Sequence, residues 1–105
     1  MTDQIAVIAQ IRPGKRDEFE RLLEQGPPFD LAAEGFERHE VFVGDSEVLF
    51  IFTGPGAMSQ LQRMAASRAL FAHVLRLTAL LSAPRVLDRT FEWESDAATG
   101  TTALA

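Results

Sequence analysis

The sequence contains no cysteine and no tyrosine. The first absence excludes disulfide bonds, thiolate nucleophiles and cysteine-ligated metal centres, and the second excludes any mechanism that uses a tyrosine phenol. Basic residues are also few, because 10 Lys and Arg stand against 15 Asp and Glu and give a net charge of −5. Nucleic-acid phosphates require a basic protein surface, so nucleic acid is excluded as a partner.

Long apolar runs and metal-binding motifs are missing as well. Arg68, His73 and Arg76 interrupt the longest apolar stretch, so no segment approaches the roughly 20 residues of a membrane span. The first four residues have neither the basic nor the apolar region of a signal peptide, which favours a cytoplasmic protein with no membrane partner. There is no His-x-x-x-His motif or carboxylate-rich loop, so we expect no metal site.

Six periodic segments are present, and their order predicts the fold. Four are strand-like and two are helical, in the order Ile5–Arg12 (strand), Lys15–Glu24 (helix), Phe36–Val43 and Glu47–Thr53 (strands), Ala57–Leu81 (helix) and Val86–Glu94 (strand). This order predicts a ferredoxin-like βαββαβ domain of the α+β class, with one four-stranded antiparallel sheet and both helices on one face. The domain spans residues 1–94, and the small, polar, aperiodic residues 95–105 are expected to form a flexible tail.

Local signals refine three of these segments. Charges in the first half of the second strand are typical of an edge strand. Asp30 is the expected cap of a short turn over residues 30–34. Gly35 is expected to end this turn, and the second strand follows it. The long helical stretch has a candidate joint at residues 66–68, and Ser82-Ala83-Pro84 is the expected end of its second part.

The strands carry more apolar surface than two helices on one face can cover. The third strand is apolar on both faces, from Val48 to Phe52, and is therefore expected to be central. The additional apolar residues of the second face are Ala6 and Ile8 on the first strand and Leu87, Phe91 and Trp93 on the fourth. Soluble monomers rarely expose so large an apolar patch, which predicts a homodimer.

Particular stretches of the sequence also resemble a known superfamily. The phrase Gly35–Val41, the apolar run Val48–Phe52 before a breaker, and a helix with a late His that ends in Ser-Ala-Pro are similar to those of the dimeric α+β barrel superfamily. That superfamily includes antibiotic-biosynthesis-type monooxygenases, stress-responsive barrel proteins and small polyketide cyclases. The resemblance covers residues 4–94 and implies that two sheets from two chains close into a barrel. It also implies a small-molecule pocket between the sheet and helices of each chain and no cofactor, although some members bind haem.

Two histidines are the candidate catalytic residues. His73 lies beside the apolar stripe of the second helical stretch, where a pocket-rim imidazole can serve as a general base. The alternative is a boundary or interface histidine that makes one hydrogen bond. His39 shares a strand face with Val41 and Val43, where it could line a pocket or be an ordinary edge-strand polar residue.

The predicted pocket is aromatic and apolar. Its candidate substrate-binding residues are Ile8, Phe50, Phe52, Phe71 and Arg76, the last as a partner for a carboxylate or phenolate or, alternatively, as a solvated helix arginine. Two functions follow as hypotheses. The first is a cofactor-independent monooxygenase or cyclase that acts on an aromatic or polyketide-like molecule, and the second is a non-catalytic ligand-binding or structural dimer.

Overall fold

The computed structural model describes residues 3–26 and 30–95. Within them one four-stranded antiparallel sheet carries all the helices, which confirms the predicted α+β class. The elements in chain order are β1 (Asp3–Ile11), α1 (Arg16–Glu24), β2 (Arg38–Val43), β3 (Glu47–Gly54), α2 (Ala57–Ala65), a 3-10 turn (Arg68–Leu70), α3 (Phe71–Leu80) and β4 (Leu81–Leu87).

The sheet has the strand order β2-β3-β1-β4, and every neighbouring pair is antiparallel. It follows that β1 and β2 run parallel with β3 between them, and that β3 and β4 run parallel with β1 between them. The central pair is joined over its full length, from Asp3 opposite Gly54 to Gln10 opposite Glu47. The predictions that the second strand is an edge strand and the third is central are confirmed.

Side-chain alternation places one face of the sheet against the helices. The core on this face consists of two separate clusters of buried residues. One contains Ala9, Ile11, Phe19, Val48, Leu80 and Leu81, and the other contains Phe36, Ala57 and Met64. Phe19 of α1 is fully buried and meets the ring of Phe50 edge-to-face, with 6.1 Å between ring centroids. The first cluster therefore ties α1, α3 and the sheet together, while the second ties α2 to the segment that enters β2.

The opposite face of the sheet carries no residue of either cluster. We call it the open face, and its apolar residues are Ala6, Ile8, Phe42, Leu49, Ile51 and Leu87. The pairing register brings them side by side, with Ile8 opposite Leu49 and Ala6 opposite Ile51. Phe42 is 54% exposed, as expected for an apolar side chain on a face that none of the described helices covers.

The prediction for the fourth strand is wrong in its position. The strand was predicted over Val86–Glu94, whereas β4 runs over Leu81–Leu87 and the described residues after it form no regular element. Phe91 and Trp93 consequently do not belong to the open face of the sheet. They lie in an irregular segment and are 81% and 77% exposed.

The physical reason is a bulge that accommodates the residues expected to end the helix. The chain is already extended at Leu81, and Ser82-Ala83-Pro84 continues as a strand beside β1. The pairing register shifts between Ile8 and Gln10, and Ala83 takes a positive φ of 51°. An edge strand tolerates proline at such an irregularity, so the Ser-Ala-Pro sequence was compatible with both outcomes.

Other local predictions agree with the structure. The joint in the long helical stretch is confirmed, since α2 ends at Ala65 and α3 begins at Phe71. Oδ1 of Asp30 accepts hydrogen bonds from the backbone N–H groups of Ala32 and Ala33, at 3.0 and 3.3 Å, which confirms the predicted cap. The predicted tail lies outside the described residues except for Ser95. Across residues 3–26 and 30–95, none of the helices has the length and apolar character needed to span a membrane.

Gly54 at the end of β3 generates a test of the packing between β3 and the segment before β2. A Cβ added there would lie 2.7 Å from the carbonyl oxygen of Gly35 and 3.1 Å from Cα of Phe36. Because both atoms belong to the backbone, Gly54→Ala should lower the free energy of unfolding by about 1–3 kcal/mol. Urea unfolding followed by circular dichroism measures this change.

Gly44→Ala is the matched control, since its Cβ would meet its nearest neighbours at an ordinary 3.5 Å. This variant should stay within about 0.5 kcal/mol of the wild type. Equal stability of the two variants would contradict the close approach of the backbone of Gly35 and Phe36 to Gly54.

Candidate active site

A cavity of about 450 Å³ lies between the helix-covered face of the sheet and the helices. All four strands, all three α-helices and the 3-10 turn contribute to its lining. Among the described residues that line it, only His39, His73 and Thr78 have side-chain nitrogen or oxygen atoms. The cavity is therefore an apolar chamber with three polar groups in its wall.

The cavity is bordered by residues that pack against both buried clusters. Leu22, Val41 and Leu77 belong to its lining and pack against the first cluster. Leu31 and Leu61 also line it and pack against the second. Apolar side chains associated with the two clusters thus line one and the same cavity.

His39 of β2 is held in a defined orientation. Its Nδ1 donates a hydrogen bond to the backbone carbonyl oxygen of Ile51 at 3.0 Å, and a carbonyl can only accept. The imidazole also stacks on the ring of Phe52, with 4.2 Å between centroids and 20° between planes. The ring of Phe50 lies parallel to it at 6.3 Å. One hydrogen bond and two aromatic contacts thus fix the ring in the cavity wall.

His73 of α3 is the second imidazole of the wall and is half-buried. Burial lowers the pKa of His73 below the ordinary histidine value of 6.5, and the positive charge of Arg76 lowers it further. The ring is therefore neutral at neutral pH. Thr78, one turn further along α3, donates its hydroxyl hydrogen to the carbonyl oxygen of Leu75 at 2.8 Å. Its oxygen can still accept a hydrogen bond from a group in the cavity.

The structure brings together four of the residues proposed from the sequence. His39, His73, Phe50 and Phe52 all lie in the cavity lining. Their roles in binding or catalysis stay predictions.

Three other proposed residues lie outside the lining. Ile8 belongs to the open face, because the even-numbered residues of β1 point away from the helices while Val7 and Ala9 line the cavity. Phe71 starts α3 on its outer side and is 61% exposed. Arg76 is also exposed, and its positive charge lowers the pKa of His73.

The walls contributed by the helices were not proposed as site residues. Leu22 and Leu23 of α1, with Leu61 and Met64 of α2, line the cavity. The sequence contains the signal for them, an apolar stripe with helical spacing, but such a stripe looks the same whether it faces a filled core or a cavity. Only the placement of the helices on the sheet distinguishes the two cases.

Comparison with known proteins does not assign the chain to a family. No protein-family model matches it, and no curated protein matches it significantly. Within residues 3–26 and 30–95, no three His, Asp or Glu side chains come close enough together to hold a metal ion.

The lowered pKa of His73 generates a prediction with a defined sign. The unfolded chain binds a proton at His73 more readily than the folded protein does, so this group makes folding less favourable as the pH falls through 6.5. Its effect levels off once the pH is below the pKa of the folded state. An NMR titration of the imidazole signals should give a pKa below 6.5 for His73 in the folded protein.

Arg76→Gln removes the second cause and should raise the pKa of His73, but not to 6.5, because the ring remains buried. Arg21→Gln removes the same charge from α1 and is the control, for which we expect no change. A pKa of His73 at or above 6.5 in the wild type would contradict the burial of its ring in the cavity wall.

Proposed function

We propose that this protein binds a small apolar or aromatic molecule in the cavity between its sheet and its helices. The observation that carries the proposal is the cavity itself, with a volume of about 450 Å³ and a lining that is apolar apart from three side chains. Ligand sites in proteins have volumes of about 300–1,000 Å³ and are lined in this way, with a few polar groups that fix orientation.

Water that enters this pocket, which is partly open to solvent, finds few hydrogen-bond partners in its wall. An ordered water needs two to four polar partners, and the described lining offers them only near His39, His73 and Thr78. An apolar ligand needs no such partners and gains free energy from each apolar surface that it removes from water. Phe50 and Phe52 favour an aromatic ligand, because aromatic rings gain from edge-to-face and offset contacts.

Val74 provides a test of binding, since its side chain lines the cavity from α3. Val74→Trp should fill part of the chamber and weaken binding of a neutral fluorescent probe, N-phenyl-1-naphthylamine, by about tenfold or more. The matched control is Leu75→Trp, because Leu75 is the next residue of α3, is 52% exposed and lies outside the lining. Probe fluorescence titrations measure both affinities, and equal losses in the two variants would overturn the assignment of the cavity as the binding site.

We propose further that the protein is a homodimer of the dimeric α+β barrel type, with ferredoxin-like topology. The open face supports this assembly, because Ile8, Leu49 and Ile51 form an apolar centre on a face that the described helices leave uncovered. A second sheet packed on it would bury that centre as a sheet-on-sheet layer buries its inner side chains. The exposed Phe91 and Trp93 add apolar surface that a partner chain could cover.

The dimer can be tested by light scattering coupled to gel filtration. The wild type should have twice the chain mass of 11.6 kDa at low micromolar concentration. Ile51→Lys places a charge at the centre of the open face and should give a folded monomer, because an unpaired charge is costly to bury at an interface. Leu75→Lys, on the exposed side of α3, should remain dimeric. A wild-type monomer would contradict the barrel.

A catalytic role is the second proposal. The position of His73 in the cavity wall, together with its lowered pKa, favours this role. A neutral imidazole in an apolar wall can accept a proton from a bound molecule at neutral pH. That chemistry suits a cofactor-independent monooxygenase or cyclase acting on an aromatic or polyketide-like substrate. A non-catalytic dimer that only binds its ligand uses the same cavity without the proton transfer.

A further inference from the structure

We propose that His39 recognises the ligand, by accepting a hydrogen bond at Nε2 from the hydroxyl of a neutral aromatic molecule of the phenol class. This inference rests on the proposed ligand-binding function and adds the chemical class of the ligand and the atom that recognises it.

The first step is the position of the hydrogen on the ring. Nδ1 of His39 is 3.0 Å from the carbonyl oxygen of Ile51, and that oxygen has no hydrogen to give. The hydrogen of the neutral imidazole must therefore be on Nδ1, which leaves Nε2 with a lone pair. His39 consequently presents an acceptor, and not a donor, on its other side.

The second step is that Nε2 is accessible and has no hydrogen-bond partner among the described residues. In the part of the chain that the structure describes, the interactions of His39 are its bond to Ile51 and its ring contacts with Phe50 and Phe52. The same residues contain no buried side-chain nitrogen or oxygen without a hydrogen-bond partner. Nε2 is thus open to solvent or to a ligand, and the ring that carries it lines the cavity.

The third step is the charge of the ligand. No lysine or arginine is among the described residues of the lining, and Arg76, the nearest cation along α3 to His73, is exposed. An anionic carboxylate or phenolate would lose its hydration without meeting an opposite charge. Thr78 has the hydroxyl group of the described lining, and this group already donates its hydrogen to the carbonyl oxygen of Leu75. Towards a ligand it is therefore an acceptor, like Nε2 of His39. These two acceptors favour a neutral ligand that donates a hydrogen bond.

The fourth step is geometry. The lone pair of Nε2 lies in the plane of the imidazole, whereas Phe52 covers a face of the ring at 4.2 Å. The stacked ring of Phe52 therefore does not block the in-plane approach to Nε2. A ligand ring that brings its hydroxyl to Nε2 lies in the apolar chamber beside Phe50 and Phe52, where aromatic contacts are favourable.

Calorimetric titration of the full-length protein at pH 8 with three naphthalenes tests the proposal. The probes are 2-naphthol, its methyl ether 2-methoxynaphthalene, and naphthalene. The wild type should bind 2-naphthol at least about tenfold more tightly than the methyl ether, because only the naphthol has a hydrogen to donate. Equal affinities for naphthol and ether would overturn the inference while leaving ligand binding intact, whereas no binding of any of the three would overturn the proposed function as well.

Substitutions show which residue is responsible for the preference for 2-naphthol. His39→Asn keeps an amide that can donate towards Ile51 but has no atom at the position of Nε2, so the preference for naphthol should disappear while naphthalene still binds. Leu75→Gln, on the exposed side of α3 and outside the lining, is the control and should keep the preference. Loss of the preference in His73→Gln alone would assign recognition to His73 and overturn the proposal. His39→Phe, which retains an aromatic ring on Phe52, checks the result should His39→Asn fail to fold.

A spectroscopic measurement tests the first step by itself. Nitrogen NMR of ¹⁵N-histidine-labelled protein at pH 8 should show His39 in the tautomer with hydrogen on Nδ1, and 2-naphthol should shift the Nε2 signal while 2-methoxynaphthalene does not. The opposite tautomer would overturn the proposal.

Discussion

The antiparallel pairing of β1 with β3 is the interaction on which the rest of the structure depends. Its register, from Asp3 opposite Gly54 to Gln10 opposite Glu47, decides which side chains of the two central strands point towards the helices. Val7, Ala9, Phe50 and Phe52 consequently reach the cavity, while Ile8 and Ile51 reach the open face. A shift by one residue would exchange the two sets, so one register fixes both the lining of the cavity and the surface proposed for dimerisation.

Sequence periodicity predicted most of this architecture because most of the signals are local. The first three strands, α1 and the joint before α3 follow from alternation, stripes and breakers within short windows. The position of β4 could not be predicted in this way. Its strand contains Pro84 and a left-handed Ala83, and only pairing with β1 through a bulge makes that stretch extended. Apolar and polar residues do alternate from Val86 onwards, but the described residues after Leu87 form no strand.

The candidate site shows the same division between local and long-range information. A histidine beside an apolar helical stripe is visible in the sequence, and His73 does lie in the cavity wall. The better-defined imidazole is His39, whose orientation depends on a carbonyl twelve residues away on the neighbouring strand. The contact depends on how the two strands pair, which the pattern of residues within either strand does not reveal. The cavity could not be predicted either, since its lining comes from segments that are far apart in the sequence.

The exposed segment after β4 contains the residue that determines the intrinsic fluorescence of the protein. The chain has one tryptophan and no tyrosine, so Trp93 dominates its ultraviolet emission. Its indole is 77% exposed and belongs to neither buried cluster. Intrinsic fluorescence therefore monitors the surroundings of this peripheral segment and is nearly silent on the packing of the core. A blue-shifted emission spectrum would signal that another surface covers the segment, independently of whether the interior is folded.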